Sequence, residues 1–361
     1  MRNHFVPLML LIATTVQAQT LRQAADDHLL IGAAVMSSVI NDPPRATLLA
    51  QQFNCITGEN EFKPAALQPA PGRFNFTGAD RLVDFAHGHQ MVVIGHTLCW
   101  HQQTPKWFYQ SAEGKPLPRK IALGNLKSHI DSVLNHFRGK ILGWDVVNEA
   151  LSDSGKQDLR DTPARRAIGD DVVERAFEFA HAADPNIELY YNDYNIEQPT
   201  KRAKAIRLIQ RLKTTGLRID AVGIQGHWSL DYPDVKTIED AIIAFHSLGV
   251  KVSITELDID VLPRATQGAD INDVQKTGDD PYKNGCPEAV MNKQANRYRD
   301  IFQMLGRHRD AIERVTFWGL TDGGSWLNNF PVKGRTNYPL LFDRDLKPKP
   351  AFAAVLESLK R

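Results

Sequence analysis

The run Trp144-Asp145-Val146-Val147-Asn148-Glu149-Ala150, preceded by Gly143, reads as a short strand that stops abruptly at an amide beside a carboxyl group. Its apolar residues are those a barrel interior would accept, and a buried parallel strand tolerates such a run. A carboxylate at its C-terminal tip needs a separate reason. In a (β/α)8 barrel, the groups that carry chemistry sit at the C-terminal ends of the strands, on the face built by the βα loops. Residues 251–258, Lys-Val-Ser-Ile-Thr-Glu-Leu-Asp, repeat the arrangement, with β-branched residues leading to Glu256 and Asp258.

Outward from these two runs, β-type segments alternate with helical patterns, as βα units require. Strands are predicted at 31–36, 55–60, 91–98, 143–149, 187–193, 221–227, 252–258 and 314–322. Eight strands suffice for an α/β (β/α)8 TIM barrel, expected as a single catalytic domain over 19–361. An open doubly wound sheet is the alternative. The barrel is favoured because polar groups close so many strands and no Gly-rich phosphate turn follows the first. Between strands, Ile130, Val133, Leu134 and Phe137 recur at helical spacing, as do Ala205, Leu208, Ile209 and Leu212. Thr237 and Asp240 suggest a capping box, with Gly249 as the stop. A last helix over 350–359 is expected to close the chain without a separate carbohydrate-binding module.

Two carboxylates on two strand ends facing one cleft are the equipment for cleaving a glycosidic bond. Glu149 is the candidate acid/base and Glu256 the candidate nucleophile, with carboxyl groups about 5–5.5 Å apart in the retaining geometry. Asp145, four residues before Glu149, is expected to point the same way and to raise its pKa. His227, at the end of a run starting at Gly223, is expected between Glu256 and Asp258, fixing the nucleophile. Gln225 would face the same interior. Glu59, Asn60 and Lys63 cluster after the second strand, and His96, Trp100 and Gln103 after the third. Such mixed donors, acceptors and rings suit a sugar, and Trp318 and Trp326 would wall it. Two other classes remain open: a metal-dependent hydrolase using His96, His101 and His227, and a carbohydrate-binding protein without catalysis.

Seven motifs stand in order: Gly58-Glu-Asn-Glu-Phe-Lys63, Gly95-His-Thr-Leu-Cys-Trp-His101 with Gln103-Thr-Pro105, and Trp144-Asp-Val-Val-Asn-Glu149 are the first three. Asn192-Asp-Tyr-Asn195, Gly226-His-Trp228, Ile254-Thr-Glu-Leu-Asp258 and Trp318-Gly-Leu320 complete them. Together they resemble the family 10 glycoside hydrolases, the endo-β-1,4-xylanases, over about residues 21–352. The resemblance implies Glu149 as acid/base and Glu256 as nucleophile supported by His227 and Asp258. It implies that Asn148 contacts the 2-hydroxyl of the sugar being cleaved. Glu59, Asn60, Lys63, His96, Gln103, Trp318 and Trp326 would line the glycone side, and Tyr194 the first aglycone site. The expected partners are xylan and xylo-oligosaccharides, bound by a monomer without cofactor or metal. Paired cysteines that some members carry after the nucleophile strand are absent.

Composition fits these expectations. The formal charge is +1, and without residues 1–18, which hold Arg2 and no acid, basic and acidic residues are equal in number. Neither nucleic acid nor an anionic membrane is indicated as partner. Phe5 to Val16 is apolar, broken by Pro7, Thr14 and Thr15, and Val16-Gln17-Ala18 ends it with small residues. This predicts a signal peptide cleaved after Ala18, and hence a secreted or periplasmic protein. Of three cysteines, Cys55 and Cys99 fall in predicted strands and Cys286 in a polar stretch, with no zinc-site spacing. That stretch, 262–289, follows the seventh strand on the predicted active face. Tyr282 is its candidate for meeting substrate, and a solvated surface insertion is the alternative.

Overall fold

The computed structural model describes residues 19–155, 157–264 and 268–360; the predicted signal peptide lies outside them. Among the described residues, nine parallel strands form the sheet: β1 Leu30–Val35, β2 Cys55–Gly58, β3 Val92–Cys99, β4 Gly143–Asn148 and β5 Glu188–Asp193. They continue as β6 Ala221–Ile224, β7 His227–Ser229, β8 Lys251–Asp260 and β9 Ile312–Phe317. Pairing runs from β1 through β6, then β6 to β8, β8 to β9 and β9 back to β1, so the sheet closes into a barrel. It is a (β/α)8 TIM barrel, as the alternation of patterns predicts.

Nine strands make eight staves because the sixth is broken. Gly226 adopts φ +86°, a conformation that side-chain-bearing residues rarely take. β6 therefore stops at Ile224, and the chain resumes as β7, pairing His227 with Asp258 of β8. The predicted strand 221–227 misses this interruption, and 314–322 overshoots the true end at Phe317.

The core has two layers. A small cluster of Cys55, Ile94, Tyr190 and Ala221 fills the barrel interior, and the main cluster packs strands against helices. The helix Arg119–Phe137 buries Ile130, Val133, Leu134 and Phe137, and Pro199–Thr214 buries Ala205, Leu208, Ile209 and Leu212, as their spacing requires. The apolar residues of β4 face outward, toward the helices Arg119–Phe137 and Val172–Ala183, and not the barrel interior. Trp144 meets Phe62 edge-on at 5.7 Å and Phe137 at 6.0 Å. The inward position is polar Asp145. The predicted capping box is also corrected: Asp234 caps the helix Val235–His246 by accepting the Thr237 backbone N–H at 2.8 Å. Gly249 does follow that helix, at φ +72°. The final helix is Pro350–Leu359. All three cysteines are free thiols, and no described helix is long and apolar enough to cross a membrane.

Candidate active site

The C-terminal ends of β3, β4, β6 and β9, the start of β7 and the middle of β8 converge on one pocket. Lys63, His96, Trp100, Asn148, Glu149 and Gln225 line one part of it, and His227, Glu256, Trp318 and Trp326 another. A larger cavity lies at the opposite end of the barrel, against Leu29 and Ile312 at strand starts and Leu359 of the last helix. That face of a TIM barrel belongs to stability, not to chemistry.

Glu149 takes φ +57° immediately after β4, a strained conformation costing about 1–2 kcal/mol. Backbone hydrogen bonds hold it there. The Glu149 N–H donates to the Asn192 carbonyl at 2.9 Å, and the Ala150 and Leu151 N–H groups donate to the Tyr191 hydroxyl at 3.1 and 3.2 Å. The twist ends the strand alternation and lets Asn148 and Glu149 both reach the pocket. The Glu149 carboxylate then accepts from the Trp100 indole at 2.8 Å and from the Gln225 amide at 2.9 Å. Burial raises its pKa, and the Glu256 charge adds to this, against the two hydrogen bonds and Arg160. Asp145 does not supply that charge: β4 shifts register between Asp145 and Val147, and Asp145 instead meets His96 Nδ1 at 2.8 Å.

Glu256 is equally buried but differently surrounded. Its Oε1 accepts from the Asn192 amide at 2.7 Å, and its Oε2 lies 3.2 Å from His227 Nε2. Nδ1 of the same ring lies 3.1 Å from Asp258 Oδ2, which also accepts from the Trp326 indole at 2.7 Å. An imidazole facing carboxylates at both nitrogens is a double donor, hence a cation. Burial opposes that charge, but Asp258 and Glu256 outweigh it and push His227 up to about 9. Burial would likewise raise Glu256; His227, His96 and Asn192 together bring it below the usual carboxylate range.

Amides join the two carboxylates. Gln225 Nε2 donates to Glu149, the Asn148 side-chain amide lies 3.0 Å from Asn192 Nδ2, and the same Asn192 amide donates to Glu256. Asn192 is fully buried, and its own Oδ1 accepts from the Thr255 hydroxyl at 2.6 Å. Gly223 makes room for it, since a Cβ there would sit 2.3 Å from Asn192 Oδ1. Sequence reasoning places Asn192 in a motif without a role; an inward polar residue near the end of β5 is the signal that marks it.

The remaining candidates divide. Lys63 is buried over the Trp100 ring at 4.9 Å, and Asn60 Oδ1 accepts from Lys63 at 3.4 Å and from exposed Gln103 at 3.1 Å. Burial lowers the Lys63 pKa against the attraction of Glu256, Glu59 and Glu149. Burial, reinforced by Glu61 and Glu256, lifts Glu59 to about 7 despite Lys63. Trp318 sets its ring 5.4 Å from His96, and Trp326 sets its ring 4.8 Å from His227. Tyr194 stands apart from this pocket. It is 2% exposed, under Lys201 at 3.6 Å, and its hydroxyl donates to Asp153 at 2.6 Å. His101 joins neither His96 nor His227, and no group of three or more metal-ligating side chains forms among the described residues. From 262–289, Ala269 and Ile271 line the pocket, whereas Tyr282 does not, its carbonyl accepting from the Tyr338 hydroxyl at 3.0 Å.

A profile of glycosyl hydrolase family 10 matches residues 20–358. The chain belongs to that family. It is 41% identical over 358 residues to "Endo-1,4-beta-xylanase A" of Xylanibacter ruminicola, covering 97% of this chain and 96% of that one. A family 10 endoxylanase from a sugarcane soil metagenome superposes with TM-score 0.88 at 41% identity, covering 95% and 99% of the two chains. A xylanase of Thermoanaerobacterium saccharolyticum, solved as a mutant complex with xylotriose, gives TM-score 0.80 at 38% identity over 92% and 96%.

Proposed function

We propose that this family 10 hydrolase is a retaining endo-1,4-β-xylanase, with Glu149 as general acid/base and Glu256 as nucleophile. The observation that carries the reading is the opposed tuning of the two glutamates in one pocket: burial chiefly raises one, while His227 and Asn192 help lower the other. A proton held on Glu149 is delivered to the glycosidic oxygen as Glu256 attacks the anomeric carbon from the opposite face. The leaving chain departs with that proton, and a covalent glycosyl-enzyme remains. Glu149, now ionised, takes a proton from water, whose oxygen displaces Glu256 and restores the β configuration. Asn148, which lies against Asn192, is read as the group that contacts the 2-hydroxyl of that sugar. The relatives' names and the xylotriose complex favour xylan and xylo-oligosaccharides as substrates. The apolar segment ending at Ala18 supports export, to a periplasm or beyond the cell.

Proton NMR of the first products from a linear xylo-oligosaccharide tests the mechanism. The β-anomer is expected first, followed by mutarotation. An α-anomer appearing first would remove Glu256 as nucleophile.

A further inference from the structure

The stretch that follows β8 bears on which substrates enter. Ala269 and Ile271 stand on the pocket shared by Glu149 and Glu256, and Ile271 keeps 40% of its surface exposed. Between them, Asp270 is held from two sides. Its Oδ1 accepts from the Gln102 amide at 3.0 Å, and its Oδ2 accepts from Arg160 at 2.6 Å. Gln102 lies on the loop after β3 and Arg160 on the loop after β4, so both anchors flank Glu149. Asp270 also folds its own turn, accepting from the Asn272 backbone N–H at 3.0 Å. Farther on, the Gln275 N–H donates to the Pro331 carbonyl at 2.8 Å, tying the segment to the loop after β9. The three residues are thus strapped over the cleft from the β3 and β4 loops to the β9 loop. Beneath them, Glu149 and Glu256 are each 5% exposed.

An enzyme that cuts inside a polymer needs a cleft open at both ends, with sugars continuing past the scissile bond. The segment held at Asp270 by Arg160 and Gln102 stands beside Glu149, on the side where the leaving chain would depart. A short substrate with a compact leaving group needs far less of the space. Arg160 has other acidic company, from Asp153 at 2.9 Å, so releasing Asp270 does not strand its charge.

We propose that Asp270, through its contacts with Arg160 and Gln102, is a specificity-determining residue that closes the Glu149 side of the cleft. It restrains cleavage of long xylan chains while leaving short substrates little affected. The inference rests on the xylanase reading given above. If the open form is a minority, efficiency on polymer scales with the fraction open.

The test compares kcat/KM on soluble linear xylan with kcat/KM on an aryl β-xylobioside for the parent enzyme, Asp270→Ala and Gln102→Ala. Asp270→Ala should raise the polymer-to-aryl ratio roughly tenfold, by the same population argument, with the aryl value nearly unchanged. Gln102→Ala, which removes one anchor, should move the ratio the same way by less. An unchanged ratio in both variants overturns the strap. A fall in the ratio overturns it as well, by making Asp270 a group that grips the polymer. A parent enzyme inactive on every xyloside would instead sink the xylanase reading itself, which separates the two failures.

Discussion

Glu149 and Glu256 are the same residue type and equally buried, one just past β4 and the other within β8 of the same barrel, yet they are tuned in opposite directions. Burial disfavours the charged form of both and is the largest influence on each. Their partners make the difference. Around Glu149 the donors are the neutral Trp100 indole and the neutral Gln225 amide, which soften the effect of burial without reversing it. Around Glu256 stands the His227–Asp258 pair, where Asp258 keeps the ring charged and the ring keeps Glu256 ionised. A buried carboxyl group becomes an acid or a nucleophile according to whether a cation is built beside it.

That contrast breaks most visibly if the proposed nucleophile is removed. Glu256→Ala should lower turnover on every substrate by on the order of 10⁴-fold or more, about 5.5 kcal/mol of barrier. Azide should restore activity through a product of inverted, α configuration. Rescue without inversion would show that Glu256 is not the attacking group. Glu149→Ala should cost about 10²–10⁴-fold on xylan, the range typical of proton transfer by a side chain. Aryl xylosides with good leaving groups should lose much less, since their departure needs little protonation. Equal losses for both variants across all leaving groups would erase the distinction.

The pH profile sharpens the comparison. In the proposed mechanism activity needs Glu256 ionised and Glu149 protonated, so it should rise through the lowered pKa and fall through the raised one, reporting the pair together. His227→Asn deletes the cation that is charged up to about 9. The acid limb should then move to higher pH, because Glu256 loses the partner that keeps it ionised; an unmoved limb would assign that role to Asn192. The smallest effect is expected at Trp326, whose ring lies against His227 on the sugar side. Trp326→Ala should weaken discrimination between xylosides and their glucose analogues by about 1–3 kcal/mol, the scale for one extra carbon in a pocket. An unchanged ratio of catalytic efficiencies would remove Trp326 as the wall against the hydroxymethyl group.

Local pattern carries much of this. The apolar rows on Arg119–Phe137 and Pro199–Thr214 follow from helical period. The two carboxylates stand out because an apolar strand that ends in one must bear the cost of desolvating a charge. Where the backbone leaves its regular path, period misleads. Gly226 and Glu149 both take positive φ, so the strand at 221–227 divides and Asn148 and Glu149 share one pocket. Asp145 shows the same error, since a register shift in β4 parts it from Glu149. Asn192 and Asp270 escape notice because their partners are remote. Asn192 joins Glu256 across 64 residues and Asp270 joins Gln102 across 168, and no spacing rule reaches that far.

The sequence by itself determined the alternation that closes the barrel, the face on which chemistry would sit, and the two glutamates on it. These are properties of period and chain direction, written locally. Only the tertiary structure decided how those glutamates differ and what stands over them. Desolvation and charge act through space, and the groups that tune Glu149 and Glu256 arrive from other strands, as Gln225 does across 76 residues. The strap at Asp270 has the same origin: an insertion that reads as a polar loop becomes part of the site once the closed barrel brings Arg160 and Gln102 beneath it.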